Sequence, residues 1–191
     1  MNACPETIRC FVAFDLLPEA KRYLLQIIEN NQRFHPEAKW ISEHQLHITI
    51  RFFASLTPSQ VNRVVRILED CHRGYHPFDL KLGSLGVFSS WKRARVLWIG
   101  IDPAAAQHIK NIVLHFENQC AQNDLRNEEE RDFSPHITLA RWRTPLPVCP
   151  ESLIPSEPLE TSIQEINLYR SLLTPGGAVY DQLAGFSLTQ I

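Results

Sequence analysis

The sequence predicts an α+β chain built as two antiparallel sheets facing across a central cleft, with helices packed outside. Three observations carry that prediction. Strand-like and helix-like segments alternate along the chain, and each of three helical stretches opens on a proline, Pro18, Pro58 and Pro103, where the missing N–H costs nothing. The order strand, helix, loop, strand occurs in both halves. In each half it ends on the same short pattern, at His47-Ile48-Thr49-Ile50 and His136-Ile137-Thr138-Leu139, with the histidines 89 positions apart.

Taken in order, Thr7 to Leu16 reads as a strand. A helix then runs from Pro18 to about Arg33 with Leu24, Leu25 and Ile28 on one face. Trp40-Ile41 and Leu46 to Phe53 follow as strands, and Pro58 opens a second helix whose apolar stripe is Val61, Val64, Val65 and Leu68. Phe78 to Val87 and Arg95 to Ile101 read as a hairpin. Pro103 opens a third helix with Ile109, Ile112, Val113 and Phe116 facing inward. A polar loop, Asn123 to Asp132, leads to the second motif strand; a Pro-rich connection, Thr144 to Pro158, leads to closing strands near Ser162 to Tyr169 and Val179 to Thr189. Those last strands can pair with either half. With no obvious linker, residues 1–191 are expected to form a single two-lobed domain.

Successive strand side chains point to opposite faces, so each motif His shares a face with its Thr while Ile48 and Ile137 turn into a core. With eight His and eight Thr in the chain, shuffling would give roughly 0.02 matches to His-aliphatic-Thr-aliphatic. Two copies are therefore hard to attribute to strand propensity, although either alone would read as the wet face of an edge strand. An imidazole near neutrality can accept a proton while a second, held protonated, donates one. Hydroxyls beside them can hydrogen-bond an oxyanion. That pairing suits phosphodiester hydrolysis without a metal. A zinc site fits less well, because His44 and His47 face opposite sides of a strand and Cys4, Cys10, Cys71, Cys120 and Cys149 form no close pair.

At these residues the chain resembles the two-histidine (2H) phosphoesterase superfamily, and most closely its RNA 2',3'-cyclic phosphodiesterase branch. Arg9-Cys10-Phe11-Val12-Ala13-Phe14-Asp15 looks like that family's first strand. Arg95 to Gly100 and Ile166 to Ser171 support the likeness, which spans almost the whole chain. The resemblance implies His47 and His136 as the catalytic pair, with Thr49 and Thr138 as phosphate-binding companions. It also implies Phe52 as a platform for the terminal base and Arg141 as a phosphate contact. Phe52 and Arg141 each lie five residues after a motif His, on the opposite face of a regular strand. They reach the cleft only if the strand ends, twists or bulges after the Thr. Where relatives usually read Phe-Leu-Gly, this chain has Phe52-Phe53-Ala54, which leaves the turn geometry there open. By alternation Arg51 joins the His47-Thr49 face, either as a cation beside the phosphate or as a solvated edge residue.

The activity implied is opening of a 2',3'-cyclic phosphate at an RNA end to a 2'-phosphate, with no cofactor or metal; His136 is taken as base and His47 as acid, an order that the near-symmetric motifs leave open. Some relatives also join RNA ends through a 2'-5' linkage. Alternatives are a phosphodiesterase acting on small cyclic nucleotides or 2',5'-linked oligonucleotides, and a non-catalytic binder of RNA ends. Partners would be RNA ends, tRNA fragments among them, or small cyclic-phosphate nucleotides. A formal net charge of −2 supplies no global attraction to a polyanion. Local cations at Lys92, Arg93, Arg95, Arg141, Arg143 and Arg170 are offset in part by Glu128-Glu129-Glu130. No apolar run approaches membrane-spanning length, the first residues do not read as a signal peptide, and five scattered cysteines suit free thiols. A cytoplasmic monomer is expected.

Overall fold

The computed structural model describes residues 7–125, 133–153 and 157–189. Most of the expected polar loop, including the three glutamates, lies outside them. The order is β1 (Ile8–Asp15), α1 (Pro18–Gln32), β2 (Lys39–Trp40), β3 (His47–Leu56), α2 (Pro58–Cys71), β4 (Phe78–Phe88) and β5 (Ala94–Ile101). It continues with α3 (Pro103–Gln122), β6 (Ile137–Leu146), β7 (Leu159–Ile163), β8 (Glu165–Thr174) and β9 (Gly177–Ser187). Side chains cap two of the helix starts. Thr57 accepts from the Gln60 N–H at 3.3 Å in a reciprocal capping box. Asp102 accepts from the Ala104 and Ala105 N–H groups at 3.1 and 3.0 Å, and from the Lys81 N–H at 2.8 Å, which ties α3 to β4.

Every strand pairing among the described residues is antiparallel, and the strand order is β7-β4-β5-β6-β3-β1-β8-β9, with β2 added beside β6. Exchanging β3 for β6, β1 for β5, β8 for β4 and β9 for β7 maps this order onto itself. α1 connects β1 to β3 as α3 connects β5 to β6, so the duplication extends from motif to topology. The two four-stranded sheets meet at one bridge, Ile48 to Ile137, and the ladder goes no further. They diverge from that seam. All three helices pack on one side, where Leu24, Ile27, Val64, Leu68, Ile109 and Phe116 share a core with Val12, Phe14, Ile48, Leu97, Ile99 and Ile137. Each such burial is worth roughly 1.5–3 kcal/mol. The other side of the sheet is left for the cleft.

Several expected boundaries shift. Ser162 to Tyr169 is not one strand: β7 pairs with β4 in the second half, and after Gln164 β8 pairs with β1 in the first. One residue thus carries the chain from one half to the other. β6 runs through Pro145 to Leu146, so the Pro-rich connection begins later than Thr144. β3 continues to Leu56 with Ala54 inside it, where its register shifts against β1, so the chain passes that position through a bulge and not a turn. In α2 the stripe includes Ile67 and Cys71, while Val65 is only partly buried.

Candidate active site

The bridge pairs the central residues of the two motifs. Because β3 and β6 are antiparallel, that register sets His47 beside Thr138 and Thr49 beside His136. All four side chains line one cavity of about 260 Å³, together with Phe52 and Arg141. The six residues named from sequence therefore converge, three from each half.

Phe52 and Arg141 arrive through matching bulges. In β3, consecutive residues Ala13 and Val12 of β1 face Thr49 and Arg51, so Ile50 is extra. In β6, Trp98 and Leu97 of β5 face Thr138 and Ala140, so Leu139 is extra. An extra residue resets the alternation, and the third residue after each Thr returns to the cleft face. Burial records the reset: Ile50 and Arg51 are both buried, as are Leu139 and Ala140. The objection from regular alternation thus disappears for Phe52 and Arg141.

The same bulge overturns the expectation for Arg51. It is 5 % exposed and faces the helices. Its guanidinium pairs with Glu117 of α3 at 2.6 Å, donates to the Leu125 carbonyl and lies over the Phe53 ring. Neither a phosphate contact nor a solvated edge describes it. Among the other cations named from sequence, Lys92, Arg93, Arg95, Arg143 and Arg170 do not line the cavity.

The imidazoles are held on both flanks. His47 stacks on Phe11 at 4.7 Å between centroids, meets the edge of Tyr180 at 5.6 Å, and lies with Nε2 3.1 Å from Thr49 Oγ1. His136 donates from Nδ1 to the Ser134 carbonyl at 2.8 Å, which leaves Nε2 with its lone pair when the ring is neutral. It meets Phe88 edge-on at 4.8 Å. Burial pushes His47 down to about 4, against the pull of the Asp15 carboxylate and a backbone hydrogen bond with Gln45; Arg141 and His136 push it further down. Burial also lowers His136, with Arg141 adding to the effect and the Ser134 carbonyl opposing it. Arg141 reaches back to Thr138 Oγ1, with Nη2 at 3.4 Å. Among the described residues no carboxylate lines the cavity, and no group of three or more His, Cys, Asp or Glu is arranged to hold a metal ion.

Sequence reasoning missed Arg9, Phe11, Ile41, Gln45, Ser171, Ala178 and Tyr180 as cavity walls. Alternation along β1 would have found the first two, since Arg9 and Phe11 share a face. Tyr180 had no local signal, because β9 reaches the site only by pairing with β8.

The model of the 2'-5' RNA ligase superfamily matches residues 10–174. The chain belongs to that superfamily. Among superfamily relatives, a Thermus thermophilus protein named RNA 2',3'-cyclic phosphodiesterase is 30% identical over 190 residues, covering 95% of this chain and 90% of its own. One of the same name from Methanothermobacter thermautotrophicus is 26% identical over 186 residues, covering 95% and 99%. A crystal structure of a Thermus thermophilus protein superposes with a TM-score of 0.83 at 26% identity, covering 95% of this chain and 98% of that one. Escherichia coli LigT complexed with 3'-AMP is alike in fold, with a TM-score of 0.81 at 24% identity and coverage of 97% and 100%. Among the described residues no helix is long and apolar enough to cross a membrane.

Proposed function

We propose that this member of the 2'-5' RNA ligase superfamily hydrolyses a 2',3'-cyclic phosphate at an RNA end to a 2'-phosphate, by acid–base catalysis between two histidines and without a metal. The names of its relatives support the reaction class. The observation that carries the mechanism is the Ile48–Ile137 bridge, which brings two imidazoles and two hydroxyls to one cavity lined by no carboxylate among the described residues.

In this reading the cyclic phosphate sits between the motifs. His136 Nε2 takes a proton from a water whose oxygen bonds to phosphorus, and the phosphorus–O3' bond breaks as His47 gives its proton to the departing oxygen. Thr49 and Thr138 donate to the non-bridging oxygens, and Arg141 balances their charge. The order of acid and base is the one to be tested: burial lowers His47 to about 4 against the pull of Asp15 and lowers His136 against the Ser134 carbonyl, so the role of each imidazole is set by how the substrate lies between them. An anionic substrate raises both histidines, which lets one carry a proton in the complex. Phe52, 42 % exposed, offers its ring to the terminal base. The whole chain is taken to act as one two-lobed unit, and as a monomer.

The test is incubation with an oligoribonucleotide ending in a 2',3'-cyclic phosphate in the presence of a strong chelator, with the product read by phosphorus NMR. A 2'-phosphate is expected. Absence of hydrolysis, or activity that chelation abolishes and zinc or magnesium restores, would overturn the reading. A substrate with sulfur in place of the leaving oxygen needs little acid assistance. It should rescue His47→Ala and not His136→Ala; the reverse pattern would exchange the two roles.

A further inference from the structure

The cavity holds a second cation that the cyclic phosphate does not require. Arg9 lines it from β1, opposite the half that contributes Arg141. Its guanidinium carbon lies over the Phe52 ring, 4.4 Å from the centroid, and it makes no ion pair with a carboxylate among the described residues. Tyr180 stands in the field of both arginines: burial raises its phenol, and Arg141 and Arg9 each oppose that rise. Apart from the proton that one histidine carries in the complex, Arg9 and Arg141 give the cavity two positive charges, and no acid is among the described lining residues. A 2',3'-cyclic phosphate brings one negative charge. The mismatch is one charge, located where the base would stack.

A base stacked on the face of Phe52 that Arg9 covers displaces Arg9. A displaced guanidinium in a cavity without carboxylates seeks another anion. In an RNA strand the nearest is the phosphodiester on the 5' side of the terminal nucleotide, which a mononucleoside cyclic phosphate lacks. We propose that Arg9 binds this penultimate phosphate, so that the site takes the end of an oligonucleotide in preference to a mononucleoside cyclic phosphate. The inference rests on the reading of the cleft as a cyclic phosphodiesterase site and adds its substrate class. Arg141, against Thr138, is left for the reacting phosphate.

The experiment compares kcat/KM for adenosine 2',3'-cyclic phosphate with that for the same nucleotide carrying one further nucleotide on its 5' side, in the wild type, Arg9→Gln and Arg9→Lys. Arg9 is exposed at the start of β1, so these variants should fold. The wild type should favour the dinucleotide. Arg9→Gln should reduce the ratio of the two kcat/KM values by about 10- to 100-fold, the value of one charge-assisted contact. Arg9→Lys, which keeps the charge and loses the planar fork, should fall between. Equal losses on both substrates would overturn the proposal and assign Arg9 to the reacting phosphate. An unchanged ratio would overturn it as well and reduce Arg9 to a cover for Phe52. Either outcome leaves hydrolysis of the cyclic phosphate itself standing; failure of the wild type on both substrates would instead remove the phosphodiesterase reading.

Discussion

At the scale of single residues, the free enzyme holds both histidines below their ordinary value, and this fixes where its pH dependence lies. The proposed mechanism needs one imidazole protonated and one neutral, a state that peaks below about pH 6.5 when both are lowered. The bell for kcat/KM, which reports the free enzyme, should therefore lie on the acid side of neutrality. The bell for kcat should lie higher, because the bound anion raises both groups. Rate profiles across about pH 4 to 9 check this, and coincident bells would count against it. The hydroxyls carry a separate expectation. Thr49→Val or Thr138→Val keeps the shape and removes a donor to the phosphate, so each should lower kcat roughly 10- to 1000-fold with the fold intact. Wild-type kinetics in either variant would remove the hydroxyl from the mechanism in that half. The motif histidines and threonines were legible in the sequence because strand alternation alone pairs them. The depressed proton affinity was not, since it comes from Phe11, Tyr180 and Phe88, which arrive from other strands.

At the scale of the element, one extra residue in β3 decides which neighbour of the motif reaches the cleft. It turns Phe52 in and Arg51 out, and the two should separate in experiment. Arg51→Met strips the buried partner from Glu117, whose carboxyl burial raises and Arg51 draws back down, and leaves the Leu125 carbonyl without its donor. It should cost about 2–4 kcal/mol in urea unfolding with little change in kcat. Phe52→Ala, at an exposed ring, should cost little stability and raise KM. Loss of turnover in a fully stable Arg51→Met protein would mean that the alternation was not reset. Here the sequence could state the condition, a bulge after the Thr, without deciding it. Nothing in Ile50 or Leu139 distinguishes an extra residue from a regular one, because the register is set by β1 and β5.

At the scale of the whole molecule, the halves share one bridge and a crossing, where β7 closes the second sheet and β8, one residue later, returns to the first. The helices and the repeated order were read from local pattern with few boundary errors. The crossing was not: the apolar-polar alternation from Ser162 to Tyr169 slips at Gln164-Glu165, but a slip alone does not say that the strand before it pairs with β4 and the strand after it with β1. Truncation after Glu157 removes Ile163, Ile166 and Leu168, all fully buried, and should abolish a cooperative thermal transition. A sharp melt of the truncated chain would show that β7, β8 and β9 are dispensable. Stability should also fall on acidification. The unfolded chain binds a proton at His47 from about pH 6.5 while the folded chain resists until about pH 4, so unfolding is favoured increasingly as pH drops through that window. His47→Asn should flatten the curve by up to about 3 kcal/mol. An unaltered slope would mean the ring is not buried as described.

The most direct measurement of the central claim is the single-turnover rate of His47→Ala, His136→Ala and the double variant on RNA ending in a 2',3'-cyclic phosphate, beside the binding of that end. Each single variant should lose roughly 10²- to 10⁴-fold in rate and one limb of the pH profile, and binding should weaken far less. The double variant should lose little more, because the pair acts as a unit. Wild-type rates in both single variants would contradict the account and leave the cleft a recognition site for RNA ends.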